Sequence, residues 1–329
     1  PTMPTRRAAC ALLTLVACKP PPVNLCPNLE VAAEIAENDE DPGPHAWFGG
    51  MVSTLDTGTM LPPAEIRDCR ERRVESPQNT CDALPFAGKR RPDRPLTSDD
   101  IVNTRRSGDE FLLWTQVHHF DDGSALGPVA LARWVPRGIR VSALGSLHAA
   151  AKQARLRLEP LGDGLVLITE GSACTTSDDC VPVTRVIPLV EGNFVDQAMR
   201  NPAGGCEGAA TFPLVARVDV ALDPTRTRQF RLQRNIVIKD GVGVIHEEAI
   251  ATDIDTGQTD VPGVEFRRQS KARELLLDKD TLVIDHGIWD DFIAQDGSVR
   301  PSDYVTPPTT PGTAAPAAAA PPISAPPAG

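Results

Sequence analysis

The chain has 329 residues with a net charge of −11 at pH 7, 4% aromatic residues, 32 prolines and eight cysteines. So acidic a chain is a poor candidate for general nucleic-acid binding, which is driven by cationic surface. The proline content argues against a helical protein, and the few aromatics leave the core to Val, Leu, Ile and Ala.

At the N-terminus, Arg6 and Arg7 precede an uncharged apolar run from Ala8 to Ala17. That run has signal-peptide length and is shorter than the ~20 residues a spanning helix needs. It ends in Leu15-Val16-Ala17-Cys18, which resembles the bacterial lipobox, where a leucine and two small or medium residues precede the cysteine that receives the lipid. The resemblance implies cleavage before Cys18, acylation of that cysteine (palmitate among its chains) and attachment to a membrane. Lys19 stands where aspartate commonly marks inner-membrane retention in that family, so the resemblance implies a cell-envelope protein of a Gram-negative outer membrane. Residues 19–24 (Lys-Pro-Pro-Pro-Val-Asn) read as a stiff tether, since prolines favour extended chain.

With Cys10 in the leader and Cys18 on lipid, six cysteines remain: Cys26, Cys69, Cys81, Cys174, Cys180 and Cys206. An even number in an exported chain predicts three disulfides. The short closures are Cys174–Cys180 and Cys69–Cys81, leaving Cys26–Cys206. Glycines flank Cys206 (Gly204, Gly205, Gly208), but in an oxidising compartment it reads as a loop disulfide rather than a nucleophile. No Cys-x-x-Cys pair is present to support a structural zinc site.

Residues 28–37 have the spacing of a short helix, with Asn28 as cap and Leu29, Ala32, Ala33 and Ala36 on one face. From 38 to about 108 the chain is rich in Pro, Asp, Arg and Gly. We expect irregular, disulfide-pinned structure there, with a helix near Asp99–Arg106 capped by Thr97 or Ser98. Arg67, Arg70, Arg72, Arg73, Lys89, Arg90, Arg91 and Arg94 crowd this segment. They read as a solvated loop, or as a patch for an anionic headgroup.

Beyond 110, strand-like runs follow one another: Phe111–His119, Val129–Val135, Ala154–Leu158, Leu165–Thr169, Val181–Val190, Leu214–Leu222, Gln229–Lys239, Val242–Ala251 and Thr281–His286. Turn signals separate them at Asp122-Gly123, Gly162-Asp163-Gly164, Asp240-Gly241 and Asp255-Thr256-Gly257. Leu232, Ile236 and Ile238 share parity, so 229–251 reads as a long hairpin turning at Asp240-Gly241. The fold class is mainly β, an antiparallel sandwich or barrel with an irregular, disulfide-pinned N-terminal segment. A β-propeller is the alternative, because the first Asp-Gly spacings suit a blade. Residues 305–329, rich in Pro, Ala and Thr and uncharged, lack the apolar content to fold. The expected organisation is signal peptide 1–17, lipidated tether 18–24, irregular segment with short helices 25–108, β-domain 109–300 and disordered tail 301–329.

Candidate chemistry is scattered. His118-His119-Phe120-Asp121-Asp122 has metal-ligand types, but adjacent strand residues point to opposite faces, so strand plus turn is the better reading. Asp253-Ile254-Asp255-Thr256-Gly257 with Asp260 resembles part of a calcium loop without its full ligand set. His246-Glu247-Glu248 lacks the second histidine of a zincin helix. Asp285-His286, beside Trp289, Asp290 and Asp291, has the residue types of a catalytic pair, but no Gly-x-Ser-x-Gly elbow supplies a nucleophile. Trp47, Trp114, Trp134 and Trp289 read as core, or as a glycan-binding face if they cluster at the surface. No phosphate-cradling or dinucleotide loop is present, so we expect no cofactor, catalytic residue or metal. The expected function is therefore that of a lipid-anchored, non-enzymatic β-domain that binds another envelope protein or a surface glycan. The alternatives are an envelope hydrolase using scattered residues such as His246, His286 and Asp285, and a solute- or metal-binding lipoprotein.

Overall fold

The computed structural model describes residues 24–26, 29, 42–77, 86, 88–135, 138–174, 180–255, 257 and 262–296. The leader, Cys18, most of the tether, the expected helix at 28–37 apart from Leu29, Cys81 and the C-terminal tail lie outside them.

The protein is mainly β, built from a nearly closed barrel-like sheet and a half-barrel sheet. The strands are β1 (Ile101–Arg105), β2 (Glu110–Thr115), β3 (His118–His119), β4 (Ser124–Val135), β5 (Gly138–Ala150), β6 (Lys152–Leu161), β7 (Gly164–Cys174), β8 (Cys180–Val190), β9 (Asn193–Phe194), β10 (Ala198–Arg200), β11 (Cys206–Ala209), β12 (Thr211–Pro213), β13 (Val215–Asp223), β14 (Arg226–Lys239), β15 (Val242–Asp255), β16 (Val264–Asp278) and β17 (Thr281–Ile284). Helix α1 (Gly43–Met51) precedes them and α2 (Trp289–Ala294) follows.

The first sheet runs β1-β2-β4-β5-β9-β8-β7-β6, with β3 on β4 and β12 on β8. Its two ends, β1 and β6, meet. The side chains of one parity point inward and fill the interior: Leu112 and Trp114, Val129 and Leu131, Ala143 and Leu147, Leu156 and Leu158, Leu167, Ile187 and Phe194. This is the filled interior expected of a small barrel.

The other parity of β2, β4 and β5 is also apolar (Phe111, Leu113, Ala130, Ala132, Val141, Leu144), and the N-terminal segment covers it. Pro44 stands in the first turn of α1, where a missing N–H costs nothing. The helix buries Trp47, Phe48 and Met51. Trp47 packs edge-on against Phe111 and Trp134, with ring centroids 5.8 and 5.9 Å away. Gly50 is required here, because a Cβ would fall 2.0 Å from the Leu29 side chain. Asn24 is fixed to β5 through Ile139 O and Val141 N–H, so any tether ends before it.

The half-barrel runs β11-β10-β17-β16-β15-β14-β13. One of its faces carries two clusters. Ile238, Ile245, Leu275, Leu282 and Ile284 pack on the barrel's Leu161, Val166, Ile168 and Val186. Further along, Phe230, Leu232, Ala249 and Ala251 pack on Ile288, Trp289, Phe292 and Ile293 around α2. The hairpin at Asp240-Gly241 is as expected: Lys239 pairs with Val242, and both turn residues have positive φ, 54° and 82°.

Several expectations are corrected. The sheets are not blades around a channel, so the propeller alternative falls. Asp99–Arg106 is not a helix; one 3-10 turn, Ser98–Asp100, runs directly into β1, so β-structure begins before residue 109. The turn does follow Thr97, whose backbone N–H donates to the Asp100 carboxylate. Strands β5 and β16 exist where none was expected. The short closure Cys174–Cys180 forms across β7 and β8. Cys69, however, pairs with Cys26, not Cys81, with Cα atoms 5.3 Å apart. Both Cys26 and Cys69 belong to the cluster that straps the barrel, which brings them together. This pairing also rules out Cys26–Cys206. Cys206 is itself disulfide-bonded.

Candidate functional site

The residues singled out in the sequence do not converge. His118 Nε2 faces Pro63 O at 2.7 Å, while His119 Nε2 lies 3.1 Å from Asp100 Oδ1, and Asp121 accepts from Lys89 N–H. Among the described residues no group of three metal-capable side chains forms. Asp253 is committed to Arg228, whose Nε and NH2 donate to its two oxygens at 2.5 and 2.8 Å. Asp255 closes a turn by accepting from Gly257 N–H, and Asp260 lies outside the described residues.

The arginine-rich segment is largely neutralised from within. Arg67 pairs with Glu65, Arg72 with Asp68, Arg73 with Glu75, Arg90 with Asp93 and Arg94 with Asp100. Trp47, Trp114 and Trp289 are buried and Trp134 is partly so, which removes the tryptophan glycan face.

His246, His286 and Asp285 do not share a pocket. His246 projects from the opposite face of β15 to its neighbour Glu247. Glu247 is fully buried and accepts from Arg234 Nε and Arg273 NH2, both at 2.7 Å, and from Ile288 N–H at 3.1 Å. Burial works to raise its pKa, but the charges of the two arginines outweigh it and hold the carboxyl below the usual range. Arg273 also donates to Asp285 O, and Lys271 to His286 O. The Asp285–His286 segment therefore sits on the Glu247 side, where His286 Nδ1 is 3.0 Å from Glu207. A hydrolase site built from these three residues is excluded by the period-2 geometry of one strand.

A second polar cluster was not legible in the sequence. In the barrel, Asp122 accepts from Gly88 N–H at 2.9 Å and from Ser124 Oγ at 2.6 Å. Ser124 Oγ is 2.8 Å from His148 Nε2, and His148 Nδ1 is 2.7 Å from Ser76 Oγ. A carboxylate only accepts, so hydrogen-bond logic assigns each proton. Ser124 donates to Asp122, His148 donates through Nε2, and Ser76 donates to Nδ1. The chain resembles an activated serine in outline, but its electrostatics oppose that chemistry. Burial, with the charge of Arg185 nearby, pushes the His148 imidazole down to about 3. Protonating it at pH 7 costs roughly 5 kcal/mol, so it is a poor general base. Rings of Phe86 and Phe120 pack against it, at centroid distances of 5.0 and 4.7 Å. This is a buried connector that ties residues 76, 88, 122 and 148 together.

The remaining candidate is the face of the half-barrel that carries His246. The register places residues of β13 to β16 in rows across it. Lys239, Val242 and Leu276 form one row; Val237, Val244 and Glu274 the next; then Asn235, His246 and Ala272; then Val215, Gln233, Glu248 and Ser270; then Arg217, Arg231, Ile250 and Arg268. No described element packs on this face, and most of these side chains are exposed. Small Ala272 and Ser270 leave a trough of about 500 Å³ beside Gln233, Asn235, His246 and Glu248. An apolar patch (Val237, Val242, Leu276) lies at one end. At the other end is an arginine row, in which Arg268 is held by Glu248 and Glu265 at 2.5 and 2.6 Å. Of seven large apolar side chains exposed among the described residues, Leu61 alone lies outside this sheet. The sequence signal was present as the outward parity of 229–251, but β16 was missing from the reading. No protein-family model matches the chain, and no curated protein and no solved structure matches it.

Proposed function

We propose that the chain is a lipid-anchored envelope protein, held by acylated Cys18 in a Gram-negative outer membrane, whose half-barrel binds another envelope protein. The reading rests on one observation, the uncovered face of β13 to β16 with its apolar patch, polar trough and arginine row. Apolar side chains flanked by satisfied polar groups and arginines are the composition of protein-binding surfaces. A protein is preferred to a glycan because the tryptophans are in the cores. Binding is preferred to catalysis because, among the described residues, the serine–histidine chain at His148 is a buried connector whose imidazole burial pushes down to about 3.

The test is photocrosslinking in intact cells from Asn235 or His246, with the same probe at exposed Glu71, in the N-terminal segment and outside the half-barrel, as control. A specific product from the two face positions and not from the control supports the reading. The same background products from all three would sink it. Mass spectrometry of the mature N-terminus is expected to show an acylated Cys18; an unmodified N-terminus elsewhere would remove the anchor.

A further inference from the structure

Among the described residues the two main strand orders have four ends, and three are closed or short; the strands off those paths, β3 and β12, are only two and three residues long. The barrel's ends, β1 and β6, meet each other. At one end of the half-barrel, β11 is four residues long and begins at disulfide-bonded Cys206. The fourth end is β13, nine residues long, which pairs only with β14. It contains no proline or lysine, and its one irregularity falls at its end, between Ala221 and Asp223. Natural sheets normally blunt or cover an edge of this length, because its unpaired N–H and C=O groups template another strand.

The register shows which groups point outward. Arg234 N–H donates to Leu214 O, while Leu214 N–H donates to Pro182 O where the chain enters the strand; from Ala216 on, the even-numbered residues direct their backbone groups at β14. The N–H and C=O groups of Val215, Arg217, Asp219 and Ala221 therefore line the free edge. Within one copy the Arg217 and Asp219 side chains bond each other at 2.5 Å, both substantially exposed.

We infer that β13 pairs antiparallel with β13 of a second copy about a two-fold axis at Val218, joining two half-barrels into one continuous sheet. In this register Arg217 faces the second copy's Asp219, and Asp219 faces the second copy's Arg217. Val215 faces Ala221, and Val218 faces itself across a non-hydrogen-bonded pair. The outward backbone groups of 217 and 219 then bond one another, as an antiparallel ladder requires. The neighbouring registers are self-defeating. A two-residue slip sets Arg217 against Arg217 or Asp219 against Asp219, and like charges directly opposite are unfavourable. A one-residue slip matches inward with outward parity. The strand is thus self-complementary in a single register, the condition for a closed two-fold interface.

Sedimentation equilibrium of the purified full chain in detergent solution tests this. The wild type is expected to be dimeric. Arg217→Asp and Asp219→Arg should each weaken dimerisation by about tenfold or more, since each creates two like-charge pairs. The double variant Arg217→Asp/Asp219→Arg restores both opposite-charge pairs and should recover the wild-type constant to within about threefold. Its recovery also shows that the single variants failed through charge and not folding. Oxidation of Val218→Cys should give a covalent dimer, while Val220→Cys, which faces Ala216 of the second copy, should not. A monomer up to roughly 100 µM would overturn the inference. So would a double variant no better than the singles, or equal crosslinking at 218 and 220.

Discussion

The ten-stranded barrel fills its own interior with one parity of its strands, and the other parity is covered by the N-terminal strap on β2, β4 and β5 and by the half-barrel on β7 and β8. Among the described residues, the seven-stranded half-barrel has only one parity covered and leaves a face and a long edge open. The two regions also handle buried charge differently. In the barrel, Arg185 and Asp196 pair one to one, with burial pushing the carboxyl up against the pull of the arginine. In the half-barrel, Glu247 serves two arginines and a backbone N–H between the two apolar clusters of the covered face. The contrast separates a region organised for stability from one that presents a surface, and it can be broken by substitution.

The largest effect is expected at Glu247. Glu247→Ala leaves Arg234 and Arg273 buried without their carboxylate and should cost up to about 5 kcal/mol. Denaturant unfolding followed separately by near-ultraviolet and far-ultraviolet signals should show the half-barrel lost first. A loss below about 1 kcal/mol would mean that the cluster does not hold this sheet together. Next comes Cys26→Ser. The bridge to Cys69 closes a loop with a sequence separation of 43, and releasing it should cost about 4 kcal/mol. That loss should loosen the strap on the barrel and leave the half-barrel protected from hydrogen exchange. Equal loss of protection in both sheets would contradict their separate packing.

The barrel's buried histidine makes the next prediction pH-dependent. His148 is held at about 3, below the ordinary histidine value, so between those two pH values the unfolded chain binds a proton that the folded chain refuses. Its contribution is fully present above about 6.5 and declines as the pH falls, by about 1.4 kcal/mol per pH unit. By pH 4 the loss amounts to roughly 3 kcal/mol. The variant His148→Gln should be less stable at neutral pH but should lose less stability than the wild type between pH 6.5 and 4. Parallel acid curves for the two proteins would show that the imidazole is protonated in the folded state.

How much of this could be read from the chain depends on where the constraint lies. Alternation in 229–251 and the Asp240-Gly241 turn are local, and both the hairpin and its outward face follow from them. Strand β5 escaped because Gly138, Ala143, Gly145, Ala149 and Ala150 dilute its apolar pattern; it is a strand because both its faces are buried. Strand β16 escaped because Arg267, Arg268, Lys271, Arg273 and Glu274 look like a solvated helix, and only the ladder to β15 makes it extended. Cys26–Cys69 and the chain from Ser76 to Asp122 join residues distant in sequence, and no local spacing announces them.

The smallest expected stability effect is the most informative for function. The side chains of Asn235 and His246 lie on the open face without a hydrogen bond to any described residue, and the two residues are partners across the β14–β15 ladder. Replacing either by Ala should change stability by less than about 0.5 kcal/mol, as at ordinary surface positions. If the face binds a partner, the double variant should retain the wild-type unfolding curve and oligomeric state while losing the specific product seen in cells. Binding that survives the double variant would move the partner off this trough. A fall in stability comparable to that of Glu247→Ala would mean that the face is structural after all, and the distinction between the two sheets would go with it.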